Sequence, residues 1–449
     1  MAIRRSDLCF TFLLPVVFFI LGYAEYLNSE RNTQLLEYLV VPISLIAIVY
    51  YYYKYYPAFL FTSAMPFYYY IGMCISLLLV NNGVHMIEVD QYGSPNGSVL
   101  IMLAYFFYSI GVSKLAFYCA MQRRRRVCLP RLPDSTYNSM IAISLTLIVG
   151  IGFLIMFLYG GPVLNGVNRV AFWSDMEGKK LAFYPSLMIQ TFYFAVYYYF
   201  DKRYNKSNLY LPIFLLFSYF SLTVLLLGQK FSAFIIYFAI MGMLLPSFTM
   251  DLKLRKTTFF LLFLAAVSLV IIISISYIAQ GYSSDFILTR IALQGQVLWS
   301  IINFDFPEVI NIDGCLFGCV GNANLIDYIS YKLLPLQTYL HYSATGTTLS
   351  GFAPAAQFLT MGLLPTLILQ TLVFALLGYL QAKTVIYNRE RNFFVGFLLF
   401  KISFSLFLIW HAVMFTAIKG MLFTAGILLI YPLVAKANKS YKERNCEPK

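Results

Sequence analysis

Charge is scarce in this chain. Lysine and arginine together number 32 and aspartate and glutamate 19 among 449 residues, so 11% of positions are charged. A soluble domain carries closer to a quarter, so an ordinary water-soluble globular protein is excluded. Cysteine is limited to seven, an odd number scattered through apolar runs and tails, which is no disulfide or zinc framework. The one local pair, Cys315 and Cys319, leaves a bridge and two free thiols equally open. Several motifs are missing as well. There is no phosphate-loop Gly-Lys-Ser/Thr, no Asp-x-Asp pair, no His-Glu-x-x-His and no Gly-x-Ser-x-Gly. These absences argue against ATP use, a bound metal and a serine nucleophile. Short alternating strands are missing too, which excludes a membrane barrel.

What the chain has is apolar length. It is 60% hydrophobic, with a mean hydropathy of +0.73. The apolar runs are about 20 residues long, the length of a helix that crosses a bilayer. In lipid only helices and closed barrels satisfy the backbone. The expected fold is therefore all-α, one polytopic bundle of about twelve spans covering residues 1–449. The spans are placed at 8–27, 34–53, 58–80, 98–120, 137–159, 184–200, 209–227, 231–247, 257–279, 356–380, 393–414 and 419–435. The first run follows Arg4 and Arg5 and lacks a small-residue cleavage site, so it reads as a retained helix.

The net charge of +13 invites a nucleic-acid partner, but its distribution follows membrane topology instead. With the N-terminus inside, 22 of the 32 basic residues fall on inner segments, the run Arg123 to Arg126 among them. Only Lys114 and Lys401 fall within spans. This bias sets both termini in the cytoplasm. Connections are mostly short, with two exceptions on the outer side. One is a loop of about 160–183, which carries Arg169, Asp175, Glu177, Lys179 and Lys180. The other is a large loop of about 280–355. A smaller outer loop, about 81–97, carries His85, Glu88 and Asp90.

Within the large loop, residues 284–302 read as one amphipathic helix at the membrane interface, with Arg290 and Gln294 a turn apart on one face. Arg290 is a planar cation suited to paired hydrogen bonds with a phosphate or diphosphate. Its bland alternative is a snorkelling arginine. Lys230 in the tight turn Gly228-Gln229-Lys230, and Arg169, are two further outer cations that fit around a diphosphate. His341 is a candidate base for a sugar hydroxyl, with Asp285 and Asp327 as alternatives. His411, near the outer end of the eleventh span, reads as structural.

These features resemble the O-antigen polymerase (Wzy) family, which polymerises oligosaccharide repeat units of bacterial envelopes. The likeness covers almost the whole chain in layout. It is sharpest at Gly228-Gln229-Lys230, at Arg290 followed by Gln294-Gly295-Gln296 and Trp299, and at Gly351-Phe352-Ala353-Pro354 with Gly362 beyond. Many members have arginine where this chain has Lys230. The resemblance implies a multi-pass protein of the bacterial inner membrane with its dominant loop in the periplasm. It implies transfer of a growing glycan from undecaprenyl diphosphate to the terminal sugar of a new lipid-linked repeat unit, with no cofactor. Arg290, Gln294, Lys230 and Arg169 would hold the diphosphate, and His341 would be the base or orient the acceptor. Implied partners are the lipid-linked donor and acceptor, membrane lipid and a chain-length-determining copolymerase. Two alternatives stay open: a lipid-linked oligosaccharide flippase, and the ligase that moves finished glycan to lipid A core.

Overall fold

The computed structural model describes residues 7, 9–27, 34–122, 134–165, 167, 169–178, 180–228, 232–248, 284–305, 325–345, 349, 353–412 and 417–437. The expected span 257–279 lies outside them, as do Arg123 to Arg126, Gln229, Lys230, Cys315, Cys319, Gly351 and Phe352. The described residues form eighteen α-helices and one two-stranded ribbon. A π-helical turn, Cys9–Leu13, runs into α1 (Leu14–Leu27). Next come α2 (Gln34–Tyr55), α3 (Pro57–Thr62) and α4 (Ala64–Asn81). Strands β1 (His85–Met86) and β2 (Gln91–Tyr92) pair antiparallel, His85 opposite Tyr92. The chain continues through α5 (Ser98–Gln122), α6 (Asp134–Tyr159), α7 (Arg169–Gly178), α8 (Tyr184–Tyr204), α9 (Tyr210–Leu225) and α10 (Ser232–Phe248). Four short helices follow: α11 (Ser284–Ala292), α12 (Gln296–Asp305), α13 (Leu325–Leu333) and α14 (Leu336–Thr345). The last are α15 (Ala355–Met361), α16 (Leu363–Arg389), α17 (Phe393–Ala412) and α18 (Ala417–Ala437).

The all-α class is as expected. Among the described residues, six helical segments are long and apolar enough to cross a membrane: Cys9–Leu27, Ala64–Asn81, Ser98–Gln122, Asn138–Tyr159, Leu363–Arg389 and Phe393–His411. Three shorter apolar helices accompany them. Two expected spans are broken helices. Residues 58–80 divide into α3 and α4 at Ser63, whose hydroxyl donates to Gln381 Oε1 at 2.9 Å. Residues 356–380 divide at Gly362, where φ is +76°, a backbone state that suits glycine because it has no Cβ.

Most buried apolar side chains collect in two cores, and a small third cluster joins Leu380, Val395 and Leu399. The first joins α1–α5 to α12, α15 and α16 through Phe18, Phe59, Tyr70, Phe106, Trp299 and Phe374. The second joins α6–α10 through Leu145, Met188, Tyr193, Tyr219, Tyr237 and Met243 and takes in Phe400 of α17. Helix α5 is apolar all round and almost entirely buried, as a central bundle helix must be. Helices α6 and α9 instead present Leu147, Phe157, Ile213 and Phe217 outward. Such a face fits lipid rather than water.

Lys114 of α5 shows how one charge survives in this setting. Its Nζ lies 2.8 Å from Asp7 Oδ1, and both residues are buried. The Tyr56 hydroxyl donates to both Asp7 oxygens, at 2.7 and 2.8 Å, and Tyr51 donates to Oδ1. The ammonium also stands 4.9 Å from the centre of the Tyr56 ring, within cation–π range. The start of the chain is thereby tied to α2 and α5. Breaking a buried pair from one side strands the other charge, at a cost of about 3–5 kcal/mol. Asp7→Asn or Lys114→Met alone should therefore lower the thermal unfolding midpoint in detergent sharply. The double variant should recover most of the loss, because neither charge is then left over.

Candidate functional site

The large-loop segment 284–302 is not the single helix expected from its pattern. It is two helices, α11 and α12, separated by a turn at 293–295. The break lies where the segment meets α4. A Cβ on Gly295 would stand 2.8 Å from Ser76 Oγ and 3.0 Å from the Leu77 nitrogen. The last carbonyls of a helix have no partner within it. Here the Ser76 hydroxyl meets two of them, Ile291 O and Ala292 O, each at 2.8 Å.

Helix α12 is fastened to the first loop, 81–97, from the other side. Trp299 Nε1 donates to Ser94 O at 2.7 Å. Asn96 Nδ2 donates to Trp299 O at 3.0 Å, while Asn96 Oδ1 accepts from the Ser98 amide at 3.1 Å. Asn96 thus caps the start of α5 and grips α12 at once. The apolar side chains Val297, Leu298, Ile301 and Ile302 of α12 are buried in the first core.

A polar cluster forms where these pieces meet. Glu88, in the ribbon between β1 and β2, is its hub. Gln296 Nε2 donates to Glu88 Oε2, and the Tyr342 hydroxyl of α14 donates to Glu88 Oε1 at 2.7 Å. Burial pushes the Tyr342 phenol well above its ordinary range, and the bond to Glu88 and that carboxylate's charge push it further. The Arg290 guanidinium works the other way, so Arg290 is close enough to act electrostatically on the same group. At neutral pH Tyr342 therefore remains a protonated donor.

Of the residues singled out in the sequence, Arg290 stands exposed on α11 beside this cluster. Gln294 is exposed in the turn at 293–295, off the end of the helix that carries Arg290. His341 is exposed on α14, its ring centre 6.3 Å from that of Tyr342. Asp285 and Asp327 fall in α11 and α13. Arg169 belongs to the other half of the molecule. It opens α7, whose Phe172 and Met176 pack into the second core. A Cβ on Gly228 would lie 3.2 Å from the Cβ of Arg169. Arg169 thus adjoins the turn that leads toward Lys230, itself outside the described residues.

His411 is bonded on both sides. Its Nδ1 lies 3.1 Å from Phe407 O, which can only accept, so Nδ1 carries the proton. Nε2, 2.8 Å from the Tyr70 hydroxyl, then accepts. Tyr70 continues into a buried chain with Gln370, Ser109 and Tyr105, which Trp410 Nε1 joins at 3.0 Å. This histidine links α17 to α4 and α16, and neither ring nitrogen is left for a substrate. Glu88, Gln296 and Tyr342 are the functional candidates that the spacing alone did not single out. Their signal was a carboxylate in a short polar loop and a tyrosine adjoining His341.

No family model, curated protein or solved structure matches this chain. The fold and site thus define a class only: a helical protein with membrane-length apolar helices and a cationic, hydroxyl- and carboxylate-bearing cluster at one end.

Replacing Trp299 by Phe keeps the apolar contact and removes the bond to Ser94 O. A typical hydrogen bond contributes about 1 kcal/mol. Amide exchange across 83–97 should accelerate by about fivefold, as read by hydrogen–deuterium exchange. An unchanged rate would mean that the Trp299 bond does not hold the loop.

Proposed function

We propose that this protein is a membrane glycosyltransferase of the O-antigen polymerase type, working without metal or nucleotide. It transfers a growing glycan from undecaprenyl diphosphate to the terminal sugar of a second lipid-linked repeat unit. The reaction takes place at the periplasmic face of a bacterial inner membrane, with both chain termini in the cytoplasm. The observation that carries this reading is the setting of Arg290. It is a permanently charged group on a short helix seated against an apolar bundle, with Tyr342, Glu88 and the His341-bearing helix gathered beside it.

A lipid diphosphate is an activated donor, so the chemistry needs only stabilisation of the departing charge. A guanidinium at headgroup depth supplies it through paired hydrogen bonds. Gln294 follows in the next turn and adds an amide donor. Arg169, which adjoins the Gly228 turn, and Lys230 add further positive charge for a diphosphate. His341 orients the acceptor sugar. The apolar faces of α6 and α9 meet membrane lipid, and a separate copolymerase sets chain length.

Arg290→Ala should abolish long chains in a polysaccharide gel, by about 10- to 100-fold given the strength of charge-assisted bonds. Protein abundance should be unaffected, because the side chain is exposed. Arg290→Lys should restore part of the activity, since a point charge does not reproduce the paired geometry. Normal chain length in Arg290→Ala would sink the assignment.

A further inference from the structure

Gln296 is completely buried, and its amide nitrogen is committed to Glu88. Its amide oxygen is also buried and has no hydrogen-bond partner. Ser300, one turn further along α12, is likewise buried, with a hydroxyl that has no partner. A buried acceptor without a donor is costly, so this oxygen marks a place that a donor fills. Glu88 lies beside it. Each of its oxygens accepts one bond, from Gln296 or Tyr342, and keeps lone-pair capacity for another. Glu88 and Gln296 thus present neighbouring acceptors. That is the complement of a sugar hydroxyl. A diphosphate would be repelled by the carboxylate and belongs on the Arg290 side.

We propose that Glu88 is the general base of the transfer and that, with Gln296 Oε1, it binds the acceptor sugar's nucleophilic hydroxyl. The inference rests on the glycosyl-transfer reading above. The acceptor hydroxyl donates to Glu88. As its oxygen bonds to the anomeric carbon of the donor, its proton passes to the Glu88 carboxylate. The bond from that carbon to the diphosphate oxygen breaks, and its electron pair leaves with the lipid diphosphate beside Arg290. The proton is then lost to water. Tyr342 and Gln296 are positioning residues that hold the carboxylate in place through their hydrogen bonds.

Among the described residues, the charged and titratable groups around Glu88 are few. Tyr342 reaches it from α14, with His341 adjacent in the chain, and Arg290 acts on Tyr342 from α11. Helix α12 faces it with the uncharged Gln296. On its own ribbon His85 and Asp90 contact each other at 3.2 Å. Removing the Tyr342 hydroxyl withdraws a donor that holds the carboxylate in place, so turnover should fall while acceptor binding persists.

The test uses the full-length protein in detergent micelles with phospholipid. The probe is undecaprenyl-diphosphate-linked repeat units extracted from cells lacking this gene, and chain ladders are read against time and substrate concentration. Wild type should give a ladder. Glu88→Gln should lower the rate by about 100-fold or more, the scale of general-base catalysis, and Glu88→Asp should recover part of it. Tyr342→Phe should lower kcat by about 10-fold with KM little changed, and Asp90→Asn should keep the wild-type rate. Glu88→Gln working within threefold of wild type would overturn the role of Glu88 and leave glycosyl transfer standing. A wild-type protein that makes no ladder, or an Arg290→Ala variant as active as wild type, would overturn the transfer reading itself. Should Glu88→Gln fail to fold, Tyr342→Phe decides: an unchanged kcat overturns the proposal.

Discussion

Ser76 lies within α4, an apolar helix of membrane length, yet its hydroxyl meets the two carbonyls that end α11. The cluster around Glu88 depends on this contact. The turn that follows gives these carbonyls backbone donors, Gln294 N to Ile291 O and Gly295 N to Ala292 O. The Ser76 hydroxyl, within reach of both, adds its single proton and fastens the helix end to α4, and Gly295 lets the chain turn there without a clash. Helix α12 is then directed across the mouth of the first core, where Trp299 and Asn96 grip the loop that carries Glu88. Arg290 and Glu88 come from segments about two hundred residues apart, and this fastening brings them to one place.

The division of charge within the cluster follows from its hydrogen bonds. Glu88 accepts from donors on both sides, Gln296 and Tyr342. Arg290 is exposed and permanently charged. Tyr342 lies between the two influences and remains a neutral donor. A carboxylate and a guanidinium that both act on one tyrosine are the opposite surroundings that the proposed acceptor hydroxyl and donor diphosphate require. A similar economy governs the bundle interior. The Lys114–Asp7 pair and the chain around Gln370 give the polar groups they place in the apolar core partners of their own.

Much of the architecture was legible from hydropathy. The edges of α2, α5 and α8 fall within a few residues of where the apolar runs begin and end, because a run that must satisfy its own backbone has little choice of form. The breaks were not legible. Gly295 and Gly362 mark two of them, but Gly111 and Gly378 sit inside unbroken helices at close contacts with neighbouring segments. Glycine content alone does not separate the two uses. The break at Ser63 depends on Gln381, more than three hundred residues away. For the site, Arg290 stood out because it runs against the charge bias. Glu88 did not, since a carboxylate in a short loop looks the same whether it is solvated or held by Gln296 and Tyr342. Its role is written in long-range pairing, which spacing does not encode. Lys114 stood out as a span charge, while its partner Asp7 lay hidden at the edge of the first apolar run.

The most direct test of the proposed polymerase activity is deletion of this gene in its host, with surface polysaccharide resolved on a silver-stained gel. The expected result is lipid A core bearing a single repeat unit, because export and ligation continue while units are no longer joined. Loss of even that single unit, with lipid-linked glycan accumulating, would contradict it and point to transport across the membrane or ligation to core.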